Sequence, residues 1–201
     1  MIIIGLTGSI GMGKSTTASM FKDEGCPVFD ADQAVHDLYE KNGKAVPIIK
    51  SVFPDAIKNG AVDRSVLGEY MRADRFHLKV LESFIHPLVG EVRAKFFKQH
   101  SSADIVVLDI PLLFETGADK LVSHIVVVTA PTAVQRKRVL AREGMTEELF
   151  KSLLARQTPD RVKRKRAHTL IYTDKGLDNA CLLYISPSPR DLSTSRMPSS
   201  A

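Results

Sequence analysis

Two rhythms of hydrophobic and polar positions run along this chain. Ile2-Ile3-Ile4-Gly5-Leu6, the short Pro27-Val28-Phe29, Ile105-Val106-Val107-Leu108 and Ile125-Val126-Val127-Val128 are continuously apolar and rich in β-branched residues, and Thr169-Leu170-Ile171-Tyr172 reads as a last strand. Between them the spacing is helical: Thr16 to Phe21, then Val35, Leu38 and Tyr39, then Val80, Leu81, Phe84 and Ile85, then Thr132 to Arg142 and Thr146 to Gln157. From about 33 to 100 the text is helical and charged, with no buried strand expected, and Asn42-Gly43 and Asn59-Gly60 divide it as turns. Apolar strands separated by helices predict the α/β class, with a parallel sheet covered on both faces. Proline after His86 disfavours helical geometry at that histidine, so a bend is expected there. Such a bend would aim the His86 imidazole at a ligand; a purely structural histidine is the other reading.

In sheets of this kind ligands sit at the carboxyl ends of the strands. Four segments fall there: Gly8 to Ser15, Asp30 with Asp32, Asp109 to Glu115, and the turn after Thr129. Gly8-Ser9-Ile10-Gly11-Met12-Gly13-Lys14-Ser15 spells G-x-x-x-x-G-K-S between a strand and a helix, the pattern of a nucleoside-triphosphate phosphate site. Gly8, Gly11 and Gly13 allow backbone conformations closed to residues with a Cβ, so that amides, Met12's included, converge on one anion. The helix opening at Thr16 turns its positive end to the phosphates. Lys14 reaches the β- and γ-phosphates, and the Ser15 hydroxyl is a Mg²⁺ ligand, with Asp30 or Asp109 as the candidate carboxylate beside it.

A phosphate loop alone does not separate kinases from ATPases, GTPases or motors. Thr173-Asp174-Lys175-Gly176 lacks the order of a guanine motif. A helical insert after the second strand and arginine-rich helices near the C-terminus point to a small-molecule kinase using ATP, with the insert holding the acceptor. Asp30 and Asp32, read as residues i and i+2 at a strand end, project to one side. Asp32 is the candidate base or hydroxyl orienter, with Asp30 in support; the alternative is that these carboxylates cap the following helix.

The chain of 201 residues, 44% apolar, suits one domain with a sizeable core. No run approaches the roughly 18–20 apolar residues that cross a bilayer. Met1 leads directly into the strand that feeds the phosphate loop, so no cleaved leader is expected. Cys26 and Cys181 do not make a disulfide framework, which fits a reducing, cytoplasmic compartment. The net charge of +5 suits phosphate-rich ligands. Arg161-Val162-Lys163-Arg164-Lys165-Arg166 raises a nucleic-acid module as the competing class. That run is short and has no interleaved aromatics, so a solvated face or the rim of an ATP site is favoured, with no nucleic-acid or membrane partner and a monomeric chain. Residues 181–201 resemble a translated sequencing-library adaptor and are set aside as a non-native disordered tail.

Several further motifs, in order, carry a resemblance. They are Gly5-Leu6-Thr7-Gly8 with Gly11 to Thr16, Asp30-Ala31-Asp32 followed by His36, Val62-Asp63-Arg64 with Leu67, and His86-Pro87. Leu108-Asp109-Ile110-Pro111-Leu112-Leu113-Phe114-Glu115, Gln135-x-x-Arg138 and Gln157 complete the set. Together they resemble the dephospho-coenzyme A kinase family, which phosphorylates the ribose 3′-hydroxyl of dephospho-coenzyme A with ATP to give coenzyme A and ADP. The resemblance implies a P-loop kinase fold of three α/β/α layers around a five-stranded parallel sheet. It implies a single domain over 1–180, with core 1–31 and 103–180, a helical acceptor-binding insert over 32–102, and a lid near 138–160. It also implies Asp32 as catalytic base, with Thr7 and Asp32 on the ribose side of the acceptor. Arg142 becomes the candidate transition-state clamp and Arg138 the second, since a planar fork suits phosphate. Glu115 either binds the acceptor or positions its loop, and His36 and His77 remain surface or packing residues. Three positions depart from the family pattern: Met12 for serine or alanine, His168 for aspartate, and Thr173-Asp174 before the glycine.

Overall fold

The apolar runs form the strands of one parallel sheet in a computed structural model that describes residues 1–174. The tail at 181–201 with Cys181, and Lys175-Gly176, lie outside the described residues. In chain order the strands are β1 (Ile2–Thr7), β2 (Val28–Asp30), β3 (Ile57–Lys58), β4 (Ala61–Val62), β5 (Ile105–Asp109), β6 (His124–Thr129) and β7 (Thr169–Tyr172). The helices are α1 (Lys14–Asp23), α2 (Ala31–Tyr39), α3 (Val46–Val52), α4 (Arg64–Ala73), α5 (Arg75–Gln99), α6 (Thr132–Leu140), α7 (Glu147–Ala155) and α8 (Asp160–Arg166). The sheet order is β2-β5-β1-β6-β7, and β3 pairs with β4 separately. The chain groups into two compact units, Met1–Ile3 with Cys26–Ile110 and Ile4–Gly25 with the described residues from Pro111.

In the first unit β2 and β5 run in parallel register, so that Asp30 stands beside Asp109. Leu38 and Tyr39 of α2, Ile49 of α3, Leu67 of α4 and Leu81 and Ile85 of α5 bury together with Phe53. The helical spacing of Leu81 and Ile85 thus reports a buried face, while Phe84 lies outward at 36% exposure. His77 packs edge-on against Phe53 with its Nδ1 toward the Tyr70 carbonyl, as a packing residue would.

Two expectations for this unit are corrected. The Asn59-Gly60 signal marks a β-hairpin within the stretch expected to hold no buried strand, and Val62 of β4 is buried. Both residues take positive φ, 54° and 81°, the backbone of a tight two-residue turn between antiparallel strands. The break in helical geometry expected at His86-Pro87 is absent: α5 runs for 25 residues with Pro87 inside it. A proline in a helix interior costs about 3 kcal/mol, whereas each buried Leu or Ile contributes roughly 1.5–3 kcal/mol. Leu81 and Ile85 before the proline and Leu88, Val89 and Val92 after it all pack on the same core, so burial on both sides overrides the local preference.

In the second unit β6 pairs in parallel with β1, Gly5 opposite Ile125, and with β7, Val128 opposite Ile171. The departure at His168 has a use here. Its amide donates to the Ile125 carbonyl while its Nδ1 accepts from the Ile125 N–H at 2.9 Å, extending the ladder by one residue. No helix among the described residues is long and apolar enough to cross a membrane. The interior proline yields a direct test: Pro87→Ala, at an exposed position of α5, is expected to stabilise the fold by about 1–2 kcal/mol and raise the melting midpoint by several degrees, read by calorimetry.

Candidate functional site

The phosphate loop rises from β1 and ends in α1. Gly11 and Gly13 adopt positive φ of 76° and 92°, the left-handed region expected of them. Gly8 is glycine for another reason: a Cβ there would stand 2.8 Å from the Val128 carbonyl oxygen and 2.4 Å from a Val128 methyl. The loop therefore lies directly on β6, and the expectation of a special conformation at Gly8 gives way to one of close approach. The helix α1 opens at Gly13 with no side-chain cap and no acidic residue in its first turn. α2, α4, α5 and α7 are capped by Asp30, Asp63, Asp74 and Thr146, whereas α3, α6 and α8 share with α1 the lack of a side-chain cap but follow no glycine loop. An uncapped positive helix end beneath a glycine loop is an anion-binding arrangement.

Side chains from distant parts of the second unit hold the loop in shape. Gln135 of α6, 4% exposed, donates to the Ile10 carbonyl at 2.8 Å. Gln157, just after α7, accepts from the Ile10 N–H at 3.0 Å. The Thr173 hydroxyl donates to the Met12 carbonyl at 2.8 Å, and the Ala130 N–H points at the Met12 sulfur at 3.1 Å. Met12 is buried, so its departure from the family pattern places a sulfur acceptor under the loop. Its own N–H donates to the Ser9 carbonyl at 3.1 Å, closing a turn inside the loop instead of standing open for phosphate. Lys14 is half-buried, while Ser15 and Thr16 are exposed at the start of α1.

Thr7 is fully buried and donates its hydroxyl to the Pro111 carbonyl at 3.0 Å, which gives it a holding task in place of the expected contact with the acceptor. The same carbonyl accepts from Lys163 Nζ at 3.1 Å. Lys163 also pairs with Glu115 at 3.2 Å, and Glu115 accepts from the Thr158 N–H. Burial pushes the Glu115 carboxyl upward, but the Thr158 hydrogen bond and the Lys163 charge outweigh it and hold the group below the usual carboxylate range. Burial likewise pushes Lys163 below the usual lysine range; Glu115 and Asp160 oppose that, and the neighbouring charge of Lys14 adds to it. Of the two readings for Glu115, these contacts are those of a residue that positions its loop.

Arg138 donates to the Thr173 hydroxyl and carbonyl at 2.8 and 2.9 Å, so it braces the segment that holds Met12. Arg142 is exposed in the turn between α6 and α7. The basic run forms most of α8. Lys163 is buried, Arg164 lies over the Tyr172 ring, and Arg166 stacks on Phe114 and pairs with Asp119 at 2.7 Å, while Arg161, Arg164, Lys165 and Arg166 reach solvent.

The first unit carries the remaining candidates. Asp30 caps α2, its carboxylate accepting from the Gln33 N–H at 3.0 Å, so the capping alternative holds for it. Because α2 begins at Ala31, Asp32 stands exposed in the first helical turn, and the strand geometry expected to pair it with Asp30 does not apply. Asp109 is buried at the end of β5, 3% exposed, and His86 is exposed on α5. No group of three or more His, Cys, Asp or Glu side chains among the described residues forms a cation cage. A hydroxyl such as Ser15 with one carboxylate instead suits Mg²⁺, which keeps waters and takes substrate phosphate oxygens. Sequence reasoning gave Asp160 no task, gave Lys163 none beyond its place in the basic run, and set Thr173 in a region expected to touch the adenine. Gln135 and Gln157 were visible as motif positions, but a buried lysine inside a run of cations leaves no pattern to read.

The family model described as dephospho-CoA kinase matches residues 2–179. The chain belongs to the dephospho-CoA kinase family. A dephospho-CoA kinase of Mesorhizobium japonicum is 53% identical over 90% of this chain and 91% of its own length. One of Bradyrhizobium diazoefficiens is 51% identical over 89% of each. Among solved structures, a Thermus thermophilus protein superposes with a TM-score of 0.79 at 32% identity over 98% of both chains. The dephospho-CoA kinase of Campylobacter jejuni gives 0.66 at 26% identity, over 91% of this chain and 94% of that one. The family's α/β fold with a five-stranded parallel sheet is the fold described above.

Two substitutions test how the loop is held. Gly8→Ala is expected to destabilise by about 1–3 kcal/mol through overpacking against β6, and to weaken nucleotide binding measured by calorimetry. Gln135→Leu leaves the Ile10 carbonyl without its donor, and a loss of about 1–3 kcal/mol is expected in chemical denaturation. Acid provides a third check. A carboxyl held low in the folded state stabilises above its unfolded pKa of about 4.3 and ceases to do so as pH falls through the lowered value. The stability gap between wild type and Glu115→Gln should therefore narrow on acidification.

Proposed function

We infer that this chain phosphorylates the ribose 3′-hydroxyl of dephospho-coenzyme A with ATP, the last step of coenzyme A synthesis. The observation that carries the reading is the braced, uncapped phosphate loop in a chain whose residues 2–179 match the dephospho-CoA kinase model. The amides of the loop and the start of α1 receive the triphosphate, and Lys14 neutralises charge on the β- and γ-phosphates as the γ-phosphoryl moves. Mg²⁺, when bound, would supply further charge neutralisation, and Ser15 with Asp109 or Asp30 would hold it.

Asp32 is the proposed base. It is exposed in the first turn of α2, two residues beyond the cap, where a carboxylate can orient the 3′-hydroxyl and accept its proton as the phosphorus–oxygen bond forms. Arg142, exposed and with no side-chain partner needed for the fold described, is the proposed transition-state clamp. Arg138 braces Thr173 and comes second. α5, with His86 exposed on it, belongs to the proposed acceptor-binding insert. A monomer working in a reducing cytoplasm completes the reading, in keeping with the free thiol of Cys26.

Incubation with Mg·ATP and either dephospho-coenzyme A or a panel of nucleosides should place phosphate on dephospho-coenzyme A. Transfer to a nucleoside in its place would sink the assignment. Asp32→Asn is expected to lower kcat by a factor of about 10²–10⁴ with ATP affinity nearly intact, and normal turnover in that variant would remove Asp32 as base. Lys14→Ala should cost about 3–4 kcal/mol in kcat/KM, the scale of a lost transition-state charge contact.

A further inference from the structure

Lys163 has the largest of the fully buried side chains among the described residues, with 0% exposure. A methionine or leucine would fill that volume without removing an ammonium from water, and replacing a buried ion pair by apolar side chains is often neutral or stabilising. Stability alone therefore gives no reason for a cation there. Its partners do. The Pro111 carbonyl, 3.1 Å from Nζ, also takes the hydroxyl of Thr7, the residue that enters the phosphate loop. Glu115, 3.2 Å from Nζ, also takes the Thr158 N–H, adjacent to Gln157, which holds the Ile10 N–H inside the loop. Asp160, one turn before Lys163 on α8, accepts from the Thr129 hydroxyl at the end of β6. The loop after β5, the α7–α8 connection and the phosphate loop are thus tied through one buried ammonium.

We propose that Lys163 is a positioning residue for phosphoryl transfer, fixing the α7–α8 connection and the Pro111–Glu115 loop against the phosphate loop through Glu115 and the Pro111 carbonyl. The inference rests on the kinase reading above. Lys163 touches neither reactant; it sets where the groups around the triphosphate stand. A displacement of about 1 Å in such groups is enough to cost 10²-fold in rate.

The test compares wild type, Lys163→Met, Glu115→Gln and the double variant in steady-state transfer from Mg·ATP to dephospho-coenzyme A, with folding checked by circular dichroism and melting. Lys163→Met is expected to lose about tenfold or more in kcat while both KM values stay within about threefold, in protein as well folded as wild type. Glu115→Gln keeps acceptors for Thr158 and Lys163 but not the charge, and should lose about threefold. The double variant should be no slower than Lys163→Met to within about twofold, because the pair acts as one unit. A folded Lys163→Met with wild-type kcat overturns the proposal, and so does a double variant that loses the product of the single effects. If Lys163→Met does not fold, Glu115→Gln, assayed in folded protein well below its melting midpoint, decides: a kcat loss there supports the proposal and an unchanged kcat overturns it. Wild type that fails to phosphorylate dephospho-coenzyme A sinks the kinase reading and this one together; wild-type transfer with an unaffected Lys163→Met sinks this one alone.

Discussion

A loop that offers amides to an anion has few left to hold itself together. One turn closes inside it, from the Met12 N–H to the Ser9 carbonyl, and the rest of its shape is imposed from outside, on the peptide of Ile10 above all. Gln135 takes its carbonyl and Gln157 takes its N–H, so both polar groups of one loop residue are satisfied by side chains more than a hundred residues away in sequence. Met12 is held in the same manner, its carbonyl by Thr173 and its sulfur by Ala130. With those bonds made, the remaining donors can face a ligand without a reorganisation cost at the moment of binding.

The same logic explains why so many polar side chains in the second unit are buried. Thr7, Ser9, Thr17, Thr129, Gln135 and Lys163 are all buried, and no buried side-chain nitrogen or oxygen among the described residues lacks a partner. A satisfied network of this kind is rigid, because moving one member strands another in a low-dielectric setting. The phosphate loop inherits that rigidity. Several family motif positions also make bonds within the protein: Thr7, Arg138, Glu115 and both glutamines each hold another part of the second unit.

Much of the fold was legible before any coordinates. Continuous β-branched runs marked the sheet strands because a strand covered on both faces has no polar side to show. The helical periods at Leu81 and Ile85 and across Thr146 to Gln157 were read correctly for the same reason of one-sided burial. Pro87 misled because a local preference worth a few kcal/mol was outweighed by packing contributed from both directions along α5. The hairpin at Asn59-Gly60 was missed because its strands are two residues long, too short for alternation to register, although the turn chemistry announced it.

The candidate site divides along a similar line. Family membership and the phosphate loop were determined by the sequence alone, since each depends on residue identity at short fixed spacing, where backbone geometry dictates what the residues do. Tertiary structure alone decided that Asp30 is a cap, that Gly8 is a matter of space and not of φ, and that Lys163 sits in the dark among cations that reach solvent. Those outcomes depend on what arrives from elsewhere in the chain: a neighbouring strand, a helix start, a buried carboxylate. Identity and spacing record the chemistry a residue can perform, whereas burial and partners, which no local pattern encodes, select the one it is given.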